Sequence, residues 1–281
     1  MDGFIPHGTP IKGLEAVSAT SAHVFPRHTH ESFGIGFIAA GGQVSASGRG
    51  QVEASTGQVI TVNPGEVHDG APIGRHPRTW HMLHLSQDLV RHLATDLVSR
   101  PENFEFEAPV LTDCALRERL AALYQLVLAS ANEHDRQRRL EEELFLLIAA
   151  VIRPTGERSP GRSSTTLQRV REMIDEDPTQ PADLEGLSQI AGMSRFQLIR
   201  AFASLTGLTP HAYLMQQRAN LSRRLMAGKA SLADIAAICG YVDQSHMHRE
   251  FKRRYGMTPG AYRATFHARN SIQDEIQAGH A

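Results

Sequence analysis

Cysteine is nearly absent: the 281 residues contain two, Cys114 and Cys239. They stand far apart and neither has a close cysteine neighbour. That excludes a thiolate metal cluster, a CxxC redox pair and a disulfide framework, and it points to a reducing, cytoplasmic setting. No apolar run reaches the roughly eighteen residues that a membrane-crossing helix needs. The opening MDGFIPHGTP lacks the basic start and apolar stretch of a secretory signal, so no membrane partner is expected. Phosphate-binding loops, dinucleotide fingerprints and a nucleophilic triad are also missing, so no catalytic residue and no cofactor is expected. What is present, 41% hydrophobic and 21% charged residues, is the composition of a globular chain long enough for two domains.

Net charge is close to zero, at −1, but it is unevenly spread. Residues 1–165 hold 15 Lys and Arg against 19 Asp and Glu; residues 166–268 hold 13 against 9. The positive half favours a phosphate-bearing partner. Patterning divides the chain in the same place. Short β-branched or apolar runs at His23–Phe25, Phe33–Ala39, Val59–Val62 and Trp80–Leu85 alternate with Gly, Pro and Asn turns, which predicts a β-sandwich or barrel. From Asp113 the apolar residues recur every three or four positions (Leu116, Leu120, Leu123; Leu140, Leu144, Leu147). This predicts two helices broken around Asn132–Asp135, the second ending near Ile152. The polar stretch PTGERSPGRSST at 154–165 is expected to be a linker, residues 166–268 a helical domain and 269–281 a tail.

The helical part contains an internal repeat. Ser194–Phe202 aligns with Asp243–Phe251 at an offset of 49, and the register persists through Gly207/Gly256, Thr209/Thr258, Pro210/Pro259 and Tyr213/Tyr262. Each copy reads as helix, tight turn at Gly192 or Gly240, an N-cap at Ser194 or Asp243, and a second helix. That second helix is expected to bury Leu198, Phe202 and Leu205 in the first copy, and Met247, Phe251 and Tyr255 in the second. The opposite faces then carry Arg195, Phe196, Ile199 and Arg200, and Gln244, Ser245, His248 and Arg249, with His246 at the flank. Arg and Gln match the edges of guanine and adenine, and Phe or Ile can meet thymine methyls. A long helix over Thr209–Ala227 would set the separation of the two reading helices, successive major grooves lying about 34 Å apart. A plain helical bundle would not require two copies of the same turn, cap and Gly-x-Thr-Pro ending.

With Ile235-Ala236, Gly240-Tyr241, Phe251-Lys252-Arg253 and Gly256-Met257-Thr258-Pro259-Gly260-Ala261-Tyr262-Arg263, residues 166–268 resemble the double helix-turn-helix domain of the AraC family of transcriptional regulators. The resemblance implies DNA contacts by Arg195, Phe196, Ile199 and Arg200 in one module and by Gln244, Ser245, His246 and Arg249 in the other. His246 and His248 depart from the small polar residues common there.

The first half resembles the cupin-type ligand domain that precedes many such domains, in Phe25-Pro26-Arg27-His28-Thr29-His30-Glu31 and in Gly57–His68 with its Asn63-Pro64-Gly65 turn. His28 and His30 share one strand face because side chains alternate; with that face inward both rings line the barrel cavity, and His68 could join them. Metal-binding cupins place a glutamate four or five residues after the His-x-His, where this chain has Gly34 and Ile35. No metal is therefore expected. The histidines are read first as polar lining of an organic-ligand pocket, with structural histidines as the other reading. Trp80 is either a stacking platform for that ligand or a core tryptophan.

The expected fold class is thus α+β and multidomain: an N-terminal cupin-like β-barrel with two helices (1–153), and a C-terminal all-α double helix-turn-helix domain. The expected function is a DNA-binding transcriptional regulator responding to a small-molecule effector held by His28, His30, His68 and Trp80. Its partners would be double-stranded DNA, the effector, a second copy paired through the 113–152 helices, and RNA polymerase. The competing readings are a metal-dependent cupin enzyme fused to a DNA-binding domain, and a DNA-binding protein whose barrel is only a dimerisation scaffold.

Overall fold

The computed structural model describes residues 3–95, 104–129, 133–154, 162–180 and 183–264. The chain divides into two compact units, Met1–Val24 with Thr29–Glu157, and Phe25–His28 with Arg158–Ala281. Positions 155–161 of the expected linker, and the expected tail, lie outside the described residues.

The N-terminal part of the chain opens with β1 (Gly3–His7), β2 (Leu14–Ser21), β3 (Phe25–His28), β4 (Phe33–Ala40), β5 (Gly42–Ser47) and β6 (Gly50–Ser55). It continues with β7 (Val59–Val62), β8 (His68–Pro72), β9 (Arg78–Leu85), α1 (Gln87–Ala94), β10 (Phe104–Phe106) and β11 (Val110–Leu111). It ends with α2 (Cys114–Leu128), α3 (Glu133–Val151) and β12 (Ile152–Pro154). The strands form a six-stranded sheet, β1-β2-β9-β4-β7-β11, a four-stranded sheet, β3-β8-β5-β6, and the pair β10-β12. The barrel is therefore two facing open sheets. The chain passes from the first to the second at Gly41, whose φ of +75° and Pro77 O, 3.1 Å from where a Cβ would sit, favour glycine. The expected strand at His23–Phe25 begins two residues later than the β-pattern indicated. Among the described residues a third helix, α1, joins the two expected ones; it is capped by Ser86, whose Oγ accepts from Leu89 N at 3.2 Å.

Alternation decides what each face of the large sheet does. Leu14, Ala16, Phe33, Ile35, Leu83 and Leu85 point to one side and form a single core with Leu116, Leu120 and Leu123 of α2 and Leu140, Leu144 and Leu147 of α3. Trp80, Met82 and His84 point to the other, toward the second sheet. Both faces of β4 are covered, so its residues Phe33–Ile38 are all buried and the sequence there is a continuous apolar run. A polar knot interrupts the helix-side core. Ser18 Oγ meets His7 Nε2 at 2.8 Å, His81 Nδ1 at 3.1 Å and the Tyr124 hydroxyl of α2 at 3.0 Å. Burial holds His7 and His81 below the usual imidazole pKa and pushes Tyr124 up to about 12.

The second unit contains α4 (Arg162–Glu176), α5 (Leu184–Ala191), α6 (Arg195–Thr206), α7 (Pro210–Leu225), α8 (Leu232–Ile238) and α9 (Gln244–Tyr255), followed by a further helical stretch from Pro259. Helix α4 starts inside the expected linker. The sequence of its first turn is polar, and among its described side chains Leu167, Val170 and Ile174 are the buried ones, so apolar periodicity could not register its beginning.

The 49-residue repeat is a repeat of geometry. Gly207 and Gly256 both end their helices in the left-handed region, at φ 77° and 73°. Thr209 Oγ1 accepts from Ala212 N at 3.3 Å and Thr258 Oγ1 from Ala261 N at 3.1 Å. Phe202 meets Tyr213, and Phe251 meets Tyr262, edge to face at 5.5 Å in both copies. The copies differ where Leu205, expected in the core, is 39% exposed, while its counterpart Arg254 is buried against Glu250. Tyr255 is half-buried.

Helix α7 is the core of this unit rather than an exposed spacer, with Gln216, Arg218, Asn220 and Ser222 all buried. Arg218 donates to the carbonyls of Pro178 (2.8 Å), Thr179 (3.1 Å) and Gln180 (3.2 Å) between α4 and α5, and to that of Gly240 in the turn between α8 and α9. A Cβ on Gly240 would sit 2.5 Å from Thr179 O, at a φ of +74°.

Two expectations follow from this packing. Arg218→Ala should destabilise the chain by about 2–4 kcal/mol, because four carbonyls, that of Pro178 among the buried ones, lose a charged donor at once, and Gly240→Ala should act in the same direction; both are read from thermal melts of the full chain. Because His7 and His81 resist protonation in the folded state, the unfolded chain binds more protons as the pH falls below the unperturbed imidazole value of 6.5. Stability of the first unit should therefore be full above that value and decline as the pH falls below it, measured by denaturant titration at a series of pH values.

Candidate functional site

The nucleic-acid-facing candidates lie on α6 and α9. The α5–α6 turn is closed by Gly192 at φ 62°, and α6 begins with a capping box in which Ser194 Oγ accepts from Gln197 N and Gln197 Oε1 from Ser194 N. Leu198 and Phe202 are fully buried, which turns the other side of α6 to solvent. Arg195, Phe196 and Arg200 are exposed there and Ile199 is half-buried. Phe196 is 67% exposed, an apolar ring that the fold does not use. The Arg200 guanidinium lies 5.6 Å over that ring, and Arg195 Nε is 3.5 Å from Glu185 of α5. Both contacts are solvent-exposed and worth little by themselves; they hold two cations along one face.

Helix α9 is built alike. Asp243 caps it through His246 N at 2.6 Å, and Met247 and Phe251 anchor it. Gln244, Ser245, His248 and Arg249 are exposed, and His246 is half-buried with its ring 5.4 Å from Tyr241. Sequence reasoning passed over Val242, 88% exposed immediately before the helix; a lone valine in a turn carries no pattern. Glu250 is held below its usual range: burial alone would raise it, but Arg254 and Arg253 outweigh that.

In the first unit, the rings of His30 and His68 come together, their centroids 5.1 Å apart. His28 ends β3 and His30 lies two residues beyond it, outside the strand. The pair is therefore assembled by the turn after β7, not by strand alternation: Gly65 N donates to His30 O at 2.8 Å, and β8 begins with His68. The same turn is fixed by Asn63, which exchanges two hydrogen bonds with the Phe106 backbone at 3.0 and 2.8 Å. Nδ1 of His28 donates to Pro26 O at 2.7 Å and Nδ1 of His68 to Glu66 O at 3.0 Å. Burial holds His68 below its usual pKa.

Two further inward-facing residues, at opposite ends of β9, were not singled out from the sequence. His84, on β9, has its ring 5.4 Å from that of His30. It pairs with Gly34, and its Nδ1 lies 3.8 Å from where a Gly34 Cβ would be. An imidazole thus stands where the metal-binding cupin pattern would have sent a glutamate. Arg78 is fully buried, donating to Gln43 Oε1 at 2.8 Å and His23 O at 3.2 Å, and desolvation lowers it to about 10. Its guanidinium lies 4.7 Å over Trp80, which Phe4 meets edge-on at 5.7 Å. Trp80 is a buried wall of the inter-sheet space, not a bare platform. Neither residue has a sequence motif; only the strand register turns them inward.

Comparison with known proteins agrees with this division. The family model of the AraC-like ligand-binding domain matches residues 12–149, and that of a helix-turn-helix domain matches 187–265. The Bacillus subtilis HTH-type transcriptional regulator YbfI is 28% identical over 228 residues, covering 79% of this chain and 81% of that protein. The regulatory protein SoxS of Salmonella typhimurium is 34% identical over 98 residues, 34% of this chain and 92% of SoxS. ToxT from Vibrio cholerae, solved with an unsaturated fatty acid bound, has a similar fold over 94% of this chain and 96% of that one, at a TM-score of 0.56 and 13% identity. The chain belongs to the AraC family of transcriptional regulators, with an N-terminal ligand-binding domain and a C-terminal helix-turn-helix DNA-binding domain.

Proposed function

We propose that α6 and α9 are the two recognition helices of a sequence-specific regulator that reads adjacent major grooves. Arg195, Phe196, Ile199 and Arg200 would contact one groove and Gln244, Ser245, His246 and Arg249 the next. The observation that carries this reading is a pair of like-built helices, each anchored on one side, whose opposite sides hold cations, amides and an exposed Phe196 with no role in packing. Arg200 is suited to a guanine edge, Gln244 to an adenine edge and Phe196 to a thymine methyl.

The effector would be a small molecule held between the sheets of the first unit, lined by His28, His30, His68 and Trp80. That the similar ToxT structure holds a fatty acid supports a small ligand in this fold; it does not identify this chain's ligand. Subunits would pair through α2 and α3, which carry the exposed Leu128 and Leu146. A dimer would place its second DNA module at high effective concentration, and RNA polymerase would be the partner at the promoter. Such a protein works in the cytoplasm, where its DNA is. The relatives being regulators supports a binding role over catalysis.

Arg200→Ala and Arg249→Ala should each weaken binding to a specific operator by about 1–3 kcal/mol, and affinity should fall steeply with salt as phosphate counterions are displaced. Fluorescence anisotropy with the full chain measures both. Unchanged affinity in both variants, with the melting temperature preserved, would overturn the assignment of these faces.

A further inference from the structure

We propose that Val242 reads a base: its isopropyl group covers the 5-methyl group of a thymine in the major groove entered by α9. The position is not part of the plan that the two modules share. After each turn glycine the next backbone N–H closes the preceding helix, Met193 N donating to Ser188 O at 3.1 Å and Tyr241 N to Ala236 O at 3.0 Å. In the first module the residue after Met193 is already the N-cap, Ser194. In the second, Val242 stands between Tyr241 and the N-cap, Asp243, as an inserted residue.

The fold does not use the inserted side chain. An apolar residue just before an N-cap commonly packs on the fourth residue of the helix as a staple. That residue is Met247, which is fully buried while Val242 is 88% exposed, so no staple forms. The backbone around Val242, by contrast, is fixed on both sides. Tyr241 is buried in the core of the module, and Asp243 caps α9 through His246 N at 2.6 Å. An apolar group presented on a backbone already held in place loses little freedom when a partner covers it.

Place and chemistry select the partner. In a helix-turn-helix docked on DNA, the N-terminal end of the second helix points at the base edges, and Val242 leads that end, two residues before Gln244. The side chains that α9 itself offers there, Gln244, Ser245, His246, His248 and Arg249, are all polar or charged. Of the four bases only thymine carries a methyl group in the major groove, and an aliphatic side chain selects it by contact. The first module has its exposed apolar residue inside α6, at Phe196; the second has one ahead of α9, supplied by the insertion. This inference rests on the reading of α9 as a recognition helix and adds the base selected at its leading end.

The probe is a duplex selected from a random pool by the full chain. Each of its thymines is replaced in turn by uracil, which keeps the base pair and removes only the methyl group. At one position the replacement should weaken binding by about three- to fivefold, the effect of covering one methyl group. Val242→Ala should weaken binding to the unmodified duplex by a similar factor with melting unchanged, and in that variant the same uracil should cost nothing further. Val242→Ile should keep the penalty, and so should Gln244→Ala and Arg249→Ala, which weaken binding through other contacts. If no position loses its uracil penalty in Val242→Ala, the proposal is overturned while the recognition-helix reading stands. Unchanged DNA affinity in Val242→Ala with impaired transcription from a promoter carrying the site would also overturn it, in favour of a protein partner. Wild-type affinity in both Gln244→Ala and Arg249→Ala would overturn the recognition-helix reading itself, and this inference with it.

Discussion

The guanidinium of Arg218 is the contact on which the DNA-binding half depends. It sits on the central helix, away from water, and spreads its donors over carbonyls on both sides: Pro178, Thr179 and Gln180 beside the first module, and Gly240 inside the second. Desolvation lowers its pKa, so the charge is kept at a cost that these carbonyls offset. Gly240 is required twice over, by its left-handed backbone and by the lack of room for a Cβ against Thr179 and Arg218. A turn that in one module serves only to reverse the chain (Gly192 has nothing near its missing Cβ) serves in the other as a joint. The two reading helices are therefore held by one buried cation rather than by the length of helix between them.

The sensing half follows from a different constraint, the two-residue alternation of β9. One face delivers His81 to the polar knot with Ser18 and Tyr124 against α2; the other delivers Trp80 and His84 toward the second sheet. Neighbouring histidines thus have unrelated jobs. His81 fixes a helix on the sheet. His84 stands beside His30 in the space that Gly34 leaves. A ligand taken up there would act on a sheet whose reverse face carries α2 and α3, the helices proposed to pair subunits.

Much of this was legible in the sequence, and for physical reasons. The 49-residue repeat shows because Gly207/Gly256, Thr209/Thr258 and Phe202/Phe251 are each demanded by backbone or core geometry, and such demands leave little choice of residue. The histidines of the His-x-His segment were visible as a pair, but not the turn that brings His30 to His68. What sequence could not carry are contacts set by register and by long-range packing. Arg218 has no motif, since its partners are carbonyls, which any residue supplies. Arg78 and His84 turn inward only through the pairing of β9. Leu205 reads as core by periodicity but is exposed, and its counterpart in the second module is the ion-paired Arg254, so the repeat does not hold at that position.

The central claim is that the two reading helices act as one rigid unit on one side of DNA. It is tested most directly by selecting duplexes from a random pool with the full chain and mapping protection of the winners with hydroxyl radicals. The account predicts two short protected segments on one face of the duplex, about one helical turn apart, with the same spacing in every selected sequence. Two segments whose spacing varies freely between sequences, or a single segment matching one module, would contradict it.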